Sequence, residues 1–176
     1  FIIHPDHLDR NFEFIGGEIL EVDTNSYSSE IESEISFLIR LHMKNHKIKG
    51  RVTGSDGGYI IGDDRYIPDV AFIKWERQPN SSHQAYNPNP PDLAVEVLSP
   101  TDGETRIRIK IANYLAANVV VWVVQPEIKV VDVYQPGNAV RIFRANDTIT
   151  ADDILPGFEA KVSDFFPPQR DESTAQ

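Results

Sequence analysis

PDLAVEVLSP, residues 91–100, decides how the rest of the chain is read. Leu93, Ala94, Val95, Val97 and Leu98 surround one carboxylate, Glu96. An apolar, β-branched run of this length, opened by prolines and closed by Ser99-Pro100, predicts a strand buried on both faces. Such strands belong to sheets covered by helices. A carboxylate inside one is costly unless it is paired, protonated or bound to a metal. Glu96 is therefore the first candidate functional residue. A structural ion pair with a Lys or Arg would explain it as well.

Downstream, residues 101–117 predict a helix with Ile107, Ile111, Tyr114 and Leu115 on one side. VVVWVV at 119–124 predicts another buried strand. Residues 129–134 pair with it, or with 139–144 across the Pro136-Gly137 turn. Residues 149–166 predict a late strand with a short helical end. Upstream, 76–91 is a loop rich in Pro, Asn and Ser. YIPDVAFI at 66–73 ends a β-rich segment and carries a second acid among apolar residues, Asp69. Residues 29–46 predict the clearest helix, with Ile31, Ile35, Leu38 and Ile39 as its apolar stripe and Ser29 and Glu32 as a capping-box pair. Residues 11–22 predict a hairpin turning at Gly16-Gly17, with Phe12 and Phe14 alternating with polar neighbours. Residues 1–10 read as an irregular lead-in and 169–176 as a disordered tail, leaving 1–168 as a single domain. Helices interspersed among strands and hairpins give a mixed-sheet α/β expectation.

The chain has 176 residues, 40% hydrophobic and 25% charged, enough for one real core. It has no cysteine, which removes disulfides and thiolate metal sites and suits a reducing, cytoplasmic setting. Its apolar runs are too short to span a bilayer. It opens at Phe1 without Met, and no signal peptide is read there. The net charge of −10 counts against a nucleic-acid partner unless a basic patch or a bound metal offsets it locally.

Spacing restricts which acids could share an ion. Asp92 and Glu96 fall on one strand face but lie roughly 13 Å apart along it. Asp92 is read as the start of the strand. Asp69 lies on a different segment, which the fold can bring beside Glu96.

The strings YIPDVAFI, PDLAVEVLSP and IKIANYLAANVVVWVVQP resemble the Uma-type family of restriction-endonuclease-like proteins, within the PD-(D/E)XK superfamily. The likeness runs from the GGEIL hairpin to LPGFEAKVSDFF. It implies a restriction-endonuclease-like mixed sheet flanked by helices, with added β-hairpins. It also implies a site in which Asp69 and Glu96 hold Mg²⁺ or Mn²⁺. The superfamily places a Lys two residues after the second acid, and here that position is Leu98. Lys110, in the following helix, is the matching candidate, and Arg106 precedes it at i−4. A solvated basic face is the alternative for both. Glu18 in the hairpin and Glu30 in the first helix are further auxiliary candidates, although the helix dipole alone accounts for Glu30.

The implied activity is metal-dependent hydrolysis of DNA phosphodiester bonds, with a homodimer to cut both strands. The other class is a catalytically inactive relative that binds a partner or assembles. Other motifs carry less. His42 and His46 are i,i+4 but lack the Glu of a zinc-peptidase helix. GSDGGYIIG lacks the Lys-Ser/Thr of a phosphate loop and reads as a turn.

Overall fold

The structure is a computed structural model that describes residues 11–21, 25–100 and 102–168. The lead-in at 1–10 and the tail at 169–176 lie outside the described residues.

Strands β1 (Phe12–Ile15) and β2 (Glu18–Glu21) form the hairpin. Gly16 and Gly17 both have positive φ, as a two-residue turn between twisted strands requires. The hairpin's facing differs from what the aromatic alternation suggested. Glu13 and Ile15 are buried, whereas Phe12 and Phe14 are only half-buried. A charged partner inside makes burial of Glu13 tolerable, as described below.

Helix α1 (Ser26–His46) begins three residues earlier than the capping-box reading placed it. Asn25 is the N-cap, and its side chain accepts the Ser28 N–H at 3.0 Å. Glu32 thus falls in the second turn and is buried, as are Ile31, Ile35 and Ile39. Then come β3 (Gly50–Gly54), β4 (Gly58–Ile61), β5 (Asp64–Tyr66), β6 (Val70–Lys74), the short β7 (Tyr86–Asn87) and β8 (Leu93–Val97). Helix α2 (Glu104–Ala116) crosses from β8 to a parallel β9 (Val120–Gln125). β10 (Val130–Tyr134) pairs on one side with β9 and on the other with β11 (Arg141–Arg144). The late segment is two short strands, β12 (Thr148–Thr150) and β13 (Glu159–Lys161), followed by a 3-10 turn at Val162–Phe165.

The main sheet has six strands in the order β11-β10-β9-β8-β6-β3, mixed in direction. A five-stranded sheet, β2-β1-β5-β4-β7, lies beside it. Period-2 alternation assigns the two faces of the main sheet. Val70, Phe72, Leu93, Val95, Val97, Trp122 and Val124 join Ile31, Ile35 and Ile39 of α1 in one core. Ala71, Ala94, Val121 and Val123 face the other way, with Tyr59 and Tyr66 from the second sheet and Tyr114 from α2. Glu96 shares parity with Ala94, so it belongs to this second face.

The mixed α/β sheet between helices, with added hairpins, is the architecture expected from the sequence. Among the described residues no helix is long and apolar enough to cross a membrane.

Candidate active site

In the antiparallel pairing of β6 with β8, Val70 sits opposite Val95 and Ala71 opposite Ala94. Asp69 immediately precedes β6 and so lies beside the end of β8 that carries Glu96. Both acids line one cavity. Pro68 precedes Asp69 and ends the pairing there, leaving the carboxyl to turn back and accept the Val97 N–H at 2.5 Å.

Lys110 comes in from α2 and is 6% exposed, as is Glu96. Its Nζ donates to Glu96 Oε2 at 2.6 Å and to Glu13 Oε1 at 2.8 Å. The Tyr114 hydroxyl, one turn further along α2, donates to Glu96 Oε1 at 2.8 Å. The Ile67 N–H donates to Glu13 Oε1 at 2.7 Å. The structure thus gives Glu96 the ion pair that the sequence allowed, and its cation is Lys110.

Glu32 completes the cluster from α1. Its carboxyl faces the Asp69 and Ser55 side chains. Lys110 thus pairs directly with two of the acids, Glu13 and Glu96, while Asp69 and Glu32 interact with each other beside them. Burial pushes the Asp69 carboxyl up to about 7, and the Glu32 charge adds to the rise. Burial likewise raises Glu96 to about 8 against the pull of Lys110. Glu32 is raised mainly by burial. Burial alone would lower Lys110, but Glu96 and Glu13 outweigh it and hold the ammonium well above its usual range. The cluster is short of positive charge and retains carboxyl protons near neutrality.

Glu13, Asp69, Glu96 and Lys110 line a cavity of about 210 Å³ together with Leu20, Ile67, Leu98 and Ile107, whereas Glu32 stands behind Asp69 outside it. Arg106 lies on the same wall. Glu18 does not: it is exposed at the start of β2. The hairpin's contribution is Glu13, which shares the inward parity of Ile15. Glu30 does not reach the site either, since it lines a separate surface groove with Ser26 and Glu34. Residue 32, three before Ile35 on the apolar stripe, points inward instead. That placement was the available signal for Glu32, and parity with Ile15 was the signal for Glu13.

Asp92 does what a strand start needs, accepting the Lys74 N–H at 2.7 Å and pairing with Arg77 at 3.0 Å. His46 Nδ1 lies 3.0 Å from the His42 carbonyl, and His42 Nε2 lies 3.0 Å from the Pro156 carbonyl. GSDGG makes the turn from β3 to β4, closed by Gly57 N–H to the Gly54 carbonyl at 2.9 Å.

Among the described residues no three His, Asp or Glu side chains converge closely enough to hold an ion by themselves. An ion on Asp69 and Glu96 would be held by two carboxylates and completed by water. That donor set suits Mg²⁺, which keeps several waters. The surplus of carboxylates over cations fits a divalent ion as well.

A solved structure described as a putative nuclease belonging to DUF820, from Anabaena variabilis ATCC 29413, superposes with a TM-score of 0.78. It is 23% identical over 88% of this chain and 89% of its own, a likeness of fold. No curated protein matches the sequence. The sequence profile of the Uma2 family, described as "Putative restriction endonuclease", matches residues 1–163, and the chain belongs to that family.

Proposed function

We propose that this protein is a metal-dependent endonuclease that hydrolyses DNA phosphodiester bonds, with Asp69 and Glu96 as the ion-holding pair and Lys110 as the catalytic cation. The observation that carries this reading is that Asp69 and Glu96 line one cavity, with the Lys110 ammonium bonded to Glu96 in it.

When bound, Mg²⁺ or Mn²⁺ supplies Lewis acidity at the scissile phosphate and acidifies a coordinated water. The protein's own groups do the rest. The Val97 N–H fixes the Asp69 carboxylate, and the Tyr114 hydroxyl fixes Glu96. Lys110 has three N–H donors and uses two on Glu96 and Glu13. The third can orient the attacking water or stabilise charge developing on the phosphate. Leu98 occupies the superfamily's Lys position, and Lys110 replaces that ammonium from the helix. Leu98 itself closes the apolar side of the cavity. A homodimer would supply the two sites needed to cut both strands, which light scattering can check.

The test is a Mg²⁺ and Mn²⁺ titration with a DNA cleavage assay, using Glu96→Ala as the control. Metal-dependent cleavage that disappears in the variant supports the assignment. Unchanged cleavage in the variant removes Glu96 from the site. No cleavage with either ion leaves the catalytically inactive reading, a binding or assembly domain.

A further inference from the structure

Among the described residues the cavity has one more cation, and its state differs from that of Lys110. Arg106 stands one helical turn before Lys110, on the same side of α2. Both side chains line the cavity. Lys110 is consumed by two carboxylates, whereas the half-buried Arg106 guanidinium has no hydrogen bond or ion pair among the described residues. Its neighbour Arg108 behaves as an ordinary surface arginine. It is 72% exposed in its side chain and pairs with Glu104 at 2.5 Å. The contrast matters because an arginine's cost of partial burial is normally offset by a partner. Asp102 lines the same cavity, yet no ion pair joins it to Arg106 among the described residues. Asp102 Oδ2 instead accepts the Ser99 N–H at 2.6 Å.

We infer that Arg106 is the phosphate-positioning residue of this site: its guanidinium receives one phosphodiester of the DNA strand as that group enters the cavity. The inference rests on the proposed nuclease reading and adds to it the residue that recognises the substrate backbone. A planar guanidinium presents two parallel N–H donors that match two phosphate oxygens. The need for such a group is clear from the surrounding charge. Five acids line the cavity, Glu13, Glu21, Asp69, Glu96 and Asp102, and they repel a phosphate. With Lys110 committed to Glu13 and Glu96, Arg106 is, among the described residues, the cavity cation free to attract one.

The experiment measures DNA binding to the full chain by fluorescence anisotropy, with Ca²⁺ replacing Mg²⁺, over a range of NaCl concentrations. The probes are a labelled duplex and the corresponding single strand. Arg106→Gln should weaken binding about tenfold. It should also reduce the slope of log affinity against log salt by about 0.7 to 0.9, the share of one phosphate contact. Arg106→Lys should restore the slope but only part of the affinity, because an ammonium lacks the fork. Arg108→Gln should match the unmodified protein. A merely structural Arg106 would lower the melting temperature without moving the salt slope. An unchanged slope in Arg106→Gln, an equal loss in Arg108→Gln, or no saturable binding by the unmodified chain would each overturn the inference. Cleavage is not part of the readout. A slope that falls in a protein that never cuts DNA leaves Arg106 as a phosphate contact and removes only the nuclease reading.

Discussion

Lys110 neutralises two buried acids at once, and its removal tests the electrostatics of the site directly. Lys110→Met would leave Glu13 and Glu96 buried without their cation. Breaking one side of such an arrangement costs about 3–5 kcal/mol. Urea denaturation in EDTA should show a loss of that order, and a loss under 1 kcal/mol would mean that the carboxylates are neutral without Lys110. Asp69 and Glu96 predict a pH dependence of definite sign. In the folded protein their protons leave near 7 and 8, whereas in the unfolded chain they leave near 4. Between those values the folded state binds more protons than the unfolded one, so stability falls as pH rises from about 4 to about 8. Asp69→Asn removes one of these groups and should flatten the decline. Urea midpoints across that range in EDTA are the check, and rising stability would contradict the assigned shifts.

At the level of elements, α1 and α2 bring the distant parts of the site together, so their ends and packing matter to it. Asn25→Ala removes the α1 cap and should cost about 1 kcal/mol in thermal or urea melts. At the far end of the sheet, a Cβ on Gly50 would run into the Phe72 ring inside the α1-side core. Gly50→Ala should therefore destabilise by about 1–3 kcal/mol, the usual range for overpacking. The sequence disclosed the site unevenly, for physical reasons. An acid between valines stands out, so Glu96 was readable, and Asp69 stood out for the same reason. Lys110 was identifiable only through family likeness, because a Lys on an amphipathic helix ordinarily faces water. Glu13 and Glu32 were hidden by plausible local roles. Phe12 and Phe14 suggested that Glu13 faced outward, and Ser29 offered Glu32 a capping partner. In both cases burial was decided by a partner far away in sequence, which local patterns do not report.

For the whole molecule, the excess of acids and the candidate ion are linked. A divalent cation must displace the protons that the acid cluster retains, so uptake should release protons and tighten as pH rises towards 8. Calorimetric titration of Mg²⁺ in buffers of different ionisation enthalpy measures that release. An ion that binds only the folded chain should also raise stability, by about 2.7 kcal/mol at a hundredfold excess over its dissociation constant. A melting temperature indifferent to Mg²⁺ and Mn²⁺ would count against a metal at Asp69 and Glu96. The bond between Glu13 and Lys110 has a separate consequence, for the order in which the protein is made. Its partners are 97 residues apart, and every carboxylate of the cluster leaves the ribosome before the ammonium that neutralises them. A growing chain with Glu13, Glu32, Asp69 and Glu96 already outside the exit tunnel holds the acids without the lysine. The wall formed by the first hairpin cannot be latched until the second helix has emerged and docked. The buried ion pair can therefore close only after residue 110 has emerged.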